Sequence, residues 1–287
     1  MPKVKWLQSK FNGNDKYDAF PLLEVLRIYE LEALEDWFEA GVAAEDGCLF
    51  PCLINLMLEN CPKLKELPSL PPKLKNLEIE GIRWTTLNFC SNSNPIPLET
   101  LWVCDCPNIT SLPLADEIAR LAALRSLKIT NCPNLISLGR YREMDITNNS
   151  SLILDYLCIS HPSVLQMEPL KSIASLKKLS ISDNDEVVSF PNEAEQWFLK
   201  VRSSLSQLGF IYLASLESLP SFLESLSSLQ SLHIDVVPML RELPNLPPSL
   251  KSLTIWGKCH PELKERYGED GGSDRHKIAH VPHIHID

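Results

Sequence analysis

Glycine and the common catalytic motifs are scarce in this sequence. Only 10 of its 287 residues are glycine, so it has little material for the glycine-rich loops that hold phosphate groups. Neither a Gly-x-Ser-x-Gly elbow nor a His-Glu-x-x-His motif occurs, although these mark widespread hydrolase and metalloprotease sites. The sequence therefore predicts a non-catalytic protein without a cofactor.

Long apolar runs and clusters of basic residues are also missing. No run of 18 apolar residues occurs, which predicts no membrane span, and residues 1–7 lack the apolar core of a signal peptide. The 27 basic and 37 acidic residues give a formal net charge of −10, and no basic stripe offers a footprint for nucleic acid. Neither a membrane nor a nucleic acid is expected as a partner.

A phrase of about ten residues recurs along most of the chain. It has the form Leu-x-x-Leu-x-Ile/Leu and is often followed by x-x-Cys-Pro-x-Leu-x-x-Leu-Pro. Successive copies begin 21 to 30 residues apart, a period typical of leucine-rich repeats. The first leucines of the copies are Leu23, Leu53, Leu74, Leu98, Leu124, Leu154, Leu176, Leu205, Leu229 and Leu250.

The spacing within the phrase indicates how such repeats fold. Leucines two residues apart share one face of a short strand. One repeat cannot bury that face alone, whereas stacked repeats bury it as a parallel sheet. The sequence therefore predicts an α/β repeat fold: a leucine-rich-repeat solenoid (horseshoe) with a parallel concave sheet of about ten strands. We expect a mostly irregular or extended convex side with few helices.

The segments between the strands differ in their helical potential. Two 21-residue repeats share Leu-Pro-x-Leu-Pro-Pro-x-Leu-Lys-x-Leu at residues 67–77 and 243–253, and these prolines favour extended backbone. Acidic first turns and apolar spacing predict short helices at residues 116–121 and 193–199.

We expect residues 1–287 to form a single leucine-rich-repeat domain. In this interpretation residues 1–22 are the remnant of a preceding repeat and loop, residues 23–258 hold about ten repeats, and residues 259–287 form a C-terminal cap. Because the N-terminus carries no polar cap, the chain is expected to be a piece of a longer protein. Surface loops are predicted at residues 39–47, 88–97 and 140–151.

The nine cysteines do not indicate a disulfide framework. Their number is odd, and their spacing is not that of small secreted proteins. Cys61, Cys106 and Cys132 occupy the same place in the recurring phrase, which predicts buried, reduced structural thiols. A reducing compartment fits this usage, so we expect a cytoplasmic protein, with the nucleus as an open alternative.

The C-terminal histidines are the best candidates for a metal site. His276 and His280 have helical i, i+4 spacing, but no cysteine pair or carboxylate nearby completes a tetrahedral set. Apolar and polar residues instead alternate over residues 278–286, which predicts an extended edge segment with His283 and His285 on its outer face. We expect no bound metal.

Strand-borne cysteines and paired carboxylates are weak catalytic candidates. The repeat register places no histidine beside Cys104 or Cys158, and a cysteine nucleophile needs such a base. Glu78 and Glu80 share a strand face, but nothing sequesters them from water for acid–base chemistry. A solvated acidic patch is the better interpretation, and no catalytic residue is predicted.

Residues between and flanking the paired leucines point away from the core and form the concave face. An acidic patch lies there beside large aromatic residues, which are common anchors of protein interfaces. The predicted protein-binding residues are Tyr29, Met57, Glu59, Glu78, Glu80, Trp102, Lys128 and Tyr156. Trp256 is on the same face, but the neighbouring cap is expected to cover it.

Three stretches carry a further pattern. Residues 20–37, FPLLEVLRIYELEALEDW, match FPxLExLxIxxMxxLExW closely, and residues 59–68, ENCPKLKELP, fit the same repeat. Residues 259–282 match much of CPxLxxR…G.DWxKIxHIPxI, although His260 follows the cysteine and Arg275 stands where tryptophan is usual. These stretches resemble plant coiled-coil nucleotide-binding leucine-rich-repeat immune receptors, and the last resembles the tail of cereal, rice-like members.

The resemblance implies a recognition module of a disease- or pest-resistance receptor. Such a module senses attacker effectors and contributes to autoinhibition of an upstream nucleotide-binding domain. The implied partners are a pathogen or insect effector protein and, within the receptor, that nucleotide-binding domain. Nucleotide would bind only to the upstream domain, which this chain does not contain, so no ATP-site residue carries over.

Two other classes share part of the pattern. Bacterial ubiquitin-ligase effectors also carry Leu-Pro-x-Leu-Pro-Pro repeats, but those are regular, about 20 residues long, and joined to a catalytic cysteine domain. A substrate-recognition adaptor of a ubiquitin ligase would begin with F-box-like helices, which this sequence lacks. Both remain as alternative functions for a repeat domain of this kind.

Overall fold

The computed structural model describes residues 4–7, 20–37, 50–67, 69–87, 89, 95–139, 152–173, 175–268 and 272–287. The loops expected at 39–47 and 140–151 lie outside these residues, as does most of the loop expected at 88–97. The chain divides into two compact units, Met1–Leu152 and Ile153–Asp287. The expectation of a single domain over residues 1–287 stays a prediction.

Parallel strands build each unit. The first unit contains β1 (Val25–Tyr29), β2 (Asn55–Glu59), β3 (Asn76–Glu80), β4 (Thr100–Cys104) and β5 (Ser126–Thr130), each paired with the next. The second contains β6 (Tyr156–Ile159), β7 (Lys178–Ser182), β8 (Gln207–Ile211), β9 (Ser231–Asp235), β10 (Ser252–Trp256) and β11 (His283–Ile286), paired likewise. Strands β1–β10 coincide with the ten predicted repeats, which confirms the leucine-rich-repeat solenoid.

The leucine and isoleucine positions of each strand, here called the inner lanes, form the core. Leu56, Leu77 and Leu101 are aligned in register on β2, β3 and β4, and none is more than 1% exposed. Complete burial stabilises a leucine side chain by about 2 kcal/mol relative to exposure. Each repeat gains this energy only through its neighbours, so the units are stable as stacks.

A residue in the left-handed backbone region follows most of the strands. Its N–H continues the parallel ladder: the N–H of Asn60 donates to the carbonyl of Glu80 at 2.9 Å, and that of Gly81 donates to Cys104 at 3.1 Å. This geometry extends the sheet by one residue before the chain turns into the core. The residues concerned are Glu30, Asn60, Gly81, Asp105, Asn131, Asp183, Tyr212, Val236 and Gly257.

The three repeat cysteines come directly after left-handed residues, and their thiols form hydrogen bonds with the backbone of the turn. Their thiols donate to the carbonyl two residues earlier, at 3.4 Å for Cys61, 3.1 Å for Cys106 and 3.4 Å for Cys132. All three are free thiols. Cys61 and Cys106 are buried as predicted, but Cys132 is only half-buried.

Helices are few and short among the described residues. They are α1 (Asn192–Val201), α2 (Pro261–Tyr267) and α3 (Arg275–Ile278), with 3-10 helices at Pro162–Gln166, Leu170–Ser172 and Ser221–Ser225. Helix α1 contains the predicted segment 193–199 and buries Trp197, whose indole N–H donates to the carbonyl of Leu170 at 2.8 Å. No helix within the described ranges is long and apolar enough to cross a membrane.

The helix predicted at residues 116–121 is wrong. The segment forms turns, in which the N–H groups of Arg120 and Leu121 both donate to the carbonyl of Glu117. Leu124 must begin the next repeat soon afterwards and is fully buried. The segment therefore closes a single turn on the carbonyl of Glu117 and does not continue as a regular helix.

The C-terminal segment closes the second unit with a strand. Strand β11 aligns His283 with Ser252 and His285 with Thr254 of β10, and both histidines are exposed. The predicted edge segment is therefore confirmed over residues 283–286, whereas Ile278 is the last residue of α3 and residues 279–280 form a turn. His280 contacts the carbonyl of Pro247 at 3.1 Å through Nε2. His260 caps the N-terminus of α2, where its ring nitrogen accepts a hydrogen bond from the N–H of Glu262.

The left-handed conformation of Val236 leads to a stability prediction. A side chain with a branched β-carbon is strained in this region by about 1–2 kcal/mol, whereas asparagine tolerates it and already occupies the equivalent positions 60 and 131. Val236→Asn should raise the free energy of unfolding by about 1 kcal/mol, as measured by urea titration.

The reverse change provides the matched control. Asn60→Val introduces the same strain at the equivalent turn of the first unit, so it should lower the free energy of unfolding by about 1–2 kcal/mol. A loss of stability with Val236→Asn, or no loss with Asn60→Val, would contradict this account of the turns.

Candidate protein-binding face

The outer lanes are the strand positions that lie before, between and after the inner-lane residues, on the opposite face of the sheet. In the first unit the middle lane contains Arg27, Met57, Glu78, Trp102 and Lys128, and the following lane contains Tyr29, Glu59, Glu80, Cys104 and Thr130. Neighbouring members of a lane are on strands about 4.8 Å apart. Seven of the eight predicted binding residues therefore lie together, and Tyr156 belongs to the second unit.

Carboxylates crowd the part of this face formed by β2, β3 and β4. Glu59 and Glu80 are register partners. Burial raises the pKa of the Glu80 carboxyl, and the charges of Glu59 and Asp105 raise it further, while Lys128 lowers it. Burial also raises the pKa of Glu78, against the charges of Arg27 and Lys128. This acidic patch contains Glu59, Glu78, Glu80 and Asp105.

Asp105 is a member of the patch that the sequence analysis missed. It follows β4 at the left-handed position, and Asn131 donates a hydrogen bond to its carboxylate at 3.0 Å. Aspartate and asparagine tolerate this conformation better than most residues. The aspartate and asparagine residues directly after the strands were therefore the sequence signal for this position, which the Leu-x-Leu pattern does not mark.

Trp102 stands beside the acidic patch in a fixed orientation. Its register partners are Glu78 on one side and Lys128 on the other. The ammonium group of Lys128 lies 5.9 Å from the indole centroid, within range of a cation–π interaction, and the indole N–H donates to Ser126 at 3.2 Å. The ring is half-buried and held by these contacts, so its orientation is already fixed without a partner.

Tyr29 and Met57 form a second, smaller contact on the same face. The tyrosine hydroxyl donates to the methionine sulfur at 2.7 Å, and the tyrosine is 42% exposed. Ordered aromatic side chains lose little conformational entropy when they bind. This contact lies next to the acidic β2–β4 part, because Glu59 is the register partner of Tyr29.

The outer lanes of the second unit are chemically different. Cys158, Ser180 and Ser182 are small and at most 6% exposed. Tyr156 is half-buried, and the ammonium group of Lys178 lies 5.3 Å from its ring centroid. Trp256 is 52% exposed, so the expectation that the cap covers it is wrong.

The described cysteines of the outer lanes are not arranged as nucleophiles. Burial raises the pKa of Cys104 to about 11, so its sulfur is a neutral thiol near pH 7 and a poor nucleophile. The sulfur of Cys158 lies 3.3 Å from the hydroxyl of Ser182. Within the described residues, no three histidine, cysteine or acidic side chains converge in a geometry that could hold a metal ion.

These features define a leucine-rich-repeat protein with a charged, aromatic outer face, and the chain is similar to plant disease-resistance proteins. It is 28% identical to TMV resistance protein N of Nicotiana glutinosa over 295 residues, which cover 86% of this chain and 24% of that protein. It is 40% identical to disease resistance RPP8-like protein 3 of Arabidopsis thaliana over 68 residues, 23% of this chain and 7% of that protein. The chain thus spans about a quarter or less of these curated relatives.

The other comparisons add little to the assignment of the fold. No family model matches the chain. A leucine-rich-repeat protein of Leptospira interrogans covers 83% of this chain and 73% of its own, with 21% identity and a TM-score of 0.36. The fold assignment rests on the strand register of the protein itself.

Carboxylate crowding at Glu80 leads to a prediction about pH. Because the folded-state pKa of Glu80 is raised, the neutral carboxyl favours folding at acid pH, and this contribution is lost as the pH rises through the folded-state pKa. Glu80→Gln should therefore raise the thermal unfolding midpoint at pH 7 and raise it less at pH 4, measured by circular dichroism.

Glu99 provides the control for this prediction. Its carboxylate forms an ion pair with Lys75 at 2.8 Å on the surface, so Glu99→Gln should not raise the midpoint at pH 7. A lower midpoint for Glu80→Gln at pH 7, or an equal gain at both pH values, would contradict carboxylate crowding at this position.

Proposed function

We propose that the chain is the non-catalytic protein-recognition module of a cytoplasmic plant resistance receptor. In this proposal the outer face of the first unit binds a basic surface of an attacker's effector protein. The observation that carries the proposal is the acidic patch beside the half-buried Trp102. The similarity to plant disease-resistance proteins supports the receptor context.

The composition of this face is not needed for folding. The inner lanes already bury the leucines, and smaller outer-lane residues such as Ser180 and Ser182 fit the same fold in the second unit. The carboxylates of Glu78 and Glu80 even oppose folding at neutral pH, because their pKa values are raised. Residues that act against stability are typical of functional sites.

Charge and aromatic surface would contribute to binding at different stages. The acidic patch would steer a positively charged partner during approach, an effect that salt screens. Trp102 would then supply a desolvated anchor near the centre of the interface, since tryptophan is among the residues most enriched at interface hot spots. The ordered indole favours this role because little conformational freedom remains to be lost.

The nucleotide-binding domain of the same receptor is a second candidate partner for this face. Curated relatives are about four or more times longer than the matched region, so a full receptor would have further domains able to contact the outer face. Occupation of one face by the receptor's own domain and by an effector would link recognition to autoinhibition by competition. The coiled-coil subtype and a cereal origin belong to the same proposal.

Similarity to resistance proteins favours this function over the two ubiquitin-ligase alternatives. A direct search would use the whole chain as bait in a two-hybrid screen against attacker effectors and against plant nucleotide-binding domains. Recovery of a ubiquitin-ligase core component in place of either class would favour the adaptor alternative.

Replacing Trp102 tests the anchor. Trp102→Ala should weaken binding of the identified partner by about 1–3 kcal/mol, measured by isothermal titration calorimetry, while circular dichroism shows an intact fold. The matched control is Ile136→Ala, which shortens a side chain 78% exposed at the turn after β5 and should leave affinity unchanged. Equal affinity of the Trp102→Ala variant and the parent would contradict the assignment.

Reversing charge tests the acidic patch. The double variant Glu78→Lys, Glu80→Lys should slow association and flatten its salt dependence, because long-range attraction of a basic partner is lost. Stopped-flow association rates at several salt concentrations measure both effects. The control reverses Glu99 and Asp116, two exposed carboxylates outside the outer lanes, and should alter the rate much less. Equal slowing by both pairs would locate the steering charge elsewhere.

A further inference from the structure

Two of the repeat cysteines occupy equivalent places in consecutive repeats of the first unit. Cys104 on β4 is the register partner of Thr130 on β5, and the pairing continues beyond both strands, because the N–H of Asp105 donates to the carbonyl of Thr130 at 3.0 Å. Cys106 and Cys132 each come two residues later and therefore lie side by side. Backbones of paired strands are about 4.8 Å apart, a separation that a disulfide can span.

The sulfur of Cys132 is turned toward the repeat that contains Cys106. It lies 3.6 Å from the carbonyl oxygen of Val103 on β4 and 3.4 Å from the carbonyl oxygen of Thr130 on its own strand. The pKa of the Cys132 thiol is lowered, chiefly by a hydrogen-bond contact with the Cys106 thiol and against the effect of burial. The two thiols are therefore neighbours in the reduced protein, without any change of strand register.

The two thiols differ in their access to solvent. Cys132 is half-buried, whereas Cys106 is completely buried. Oxidants attack the cysteine that ionises more readily and reaches solvent, and a second thiol beside it then completes a disulfide. Cys132 has the position of the attacked thiol, and Cys106 has that of the second, resolving thiol.

Cys61 and Cys104 are not placed for the same pairing. Cys61 has the equivalent place in its own repeat, but the register sets it between Leu31 and Ile82 of the neighbouring repeats. Cys104 belongs to an outer lane, on the opposite face of the sheet, and burial raises the pKa of its thiol to about 11. The arrangement of Cys106 and Cys132 is thus a specific feature of two repeats and does not follow from the recurring phrase alone.

Disulfide formation would leave the hydrogen bonds of the sheet in place. The two thiols would cease to donate to the carbonyls of Cys104 and Thr130. Each of these carbonyls also accepts a backbone N–H: that of Gly81 donates to the first at 3.1 Å, and that of Asp105 donates to the second at 3.0 Å. Neither carbonyl is therefore left without a hydrogen bond, a loss that would be costly in a folded protein.

We propose that Cys132 and Cys106 form a site of reversible oxidation by hydrogen peroxide, at which a disulfide links their two repeats. The thiolate of Cys132 attacks one peroxide oxygen, the O–O bond breaks, and a sulfenic acid and water result. The sulfur of Cys106 then attacks the sulfenic sulfur, the S–O bond breaks, and the hydroxyl leaves as water with the proton of the second thiol. Two thiols and one peroxide thus give one disulfide and two waters. The proposal stands whether or not the outer face binds an effector.

Peroxide treatment of the whole chain tests the proposal directly. The reduced protein at low concentration is exposed to hydrogen peroxide, free thiols are blocked with iodoacetamide, and tryptic peptides are sequenced by tandem mass spectrometry. A linked peptide that joins Cys106 to Cys132 is expected, and dithiothreitol should restore both thiols. Fragmentation distinguishes Cys106 from Cys104, which lies on the same tryptic peptide. Linkage of Cys132 to any other cysteine, or its conversion to sulfinic acid without linkage, overturns the proposal.

Variants separate the two roles. Cys106→Ser keeps a hydroxyl that can donate to the carbonyl of Cys104 but removes the resolving thiol, so the sulfenic acid of Cys132, trapped with dimedone, should increase at least five-fold over the parent. Cys106→Ala serves the same purpose if the serine variant does not fold. Cys61→Ser is the matched control at the equivalent place and should leave the yield of the linked peptide unchanged. Equal trapping at Cys132 in the parent and in the Cys106 variant overturns the proposal.

Stability gives an independent readout of the linked form. The thermal midpoint of the oxidised parent should rise above that of the reduced parent and fall back after dithiothreitol, because a disulfide restricts the unfolded chain. The same treatment should not raise the midpoint of Cys106→Ser. A linked form with a lower midpoint, or a linkage that appears only in urea, would show that the folded protein does not accommodate the bond and would overturn the proposal.

Discussion

No strand of this protein can bury its own leucines, and this constraint determines the rest of the structure. A five-residue strand exposes one apolar face, which only the next repeat can cover. Leu77, aligned between Leu56 and Leu101, is fully buried for this reason. A slip of one residue in any pair would turn the leucines outward, so the register is strongly determined. The left-handed residue after most strands then lets the chain turn into the core.

Because the inner lanes carry the folding energy, the outer lanes are free to vary in chemistry. The first unit uses this freedom for crowded carboxylates beside Trp102, and the second has small, buried outer-lane residues on β6 and β7. The raised pKa values of Glu78 and Glu80 show that their charge disfavours folding near neutral pH. The first unit thus carries a candidate surface that is marked by an electrostatic cost which the fold itself does not require.

The strands were predictable from sequence because a period of two and a repeat of 21 to 30 residues leave few alternatives. The acidic patch followed from the same register. The conformation of residues 116–121 was not predictable, because their composition favours a helix whereas the structure has turns just before the buried Leu124. The partial exposure of Cys132, in contrast to the complete burial of Cys106, depends on the side chains that surround each thiol. One sequence position alone carries no such information.

The central claim is that a protein partner contacts the outer lanes of the first unit. Hydroxyl-radical footprinting of the whole chain, with and without the identified partner, tests it most directly, because methionine, tryptophan and tyrosine side chains react readily. The account predicts that the partner protects Met57, Trp102 and Tyr29, while Trp6, which is 38% exposed and lies outside the outer lanes, reacts as before. Unchanged reactivity of all three residues in a saturated complex would contradict it.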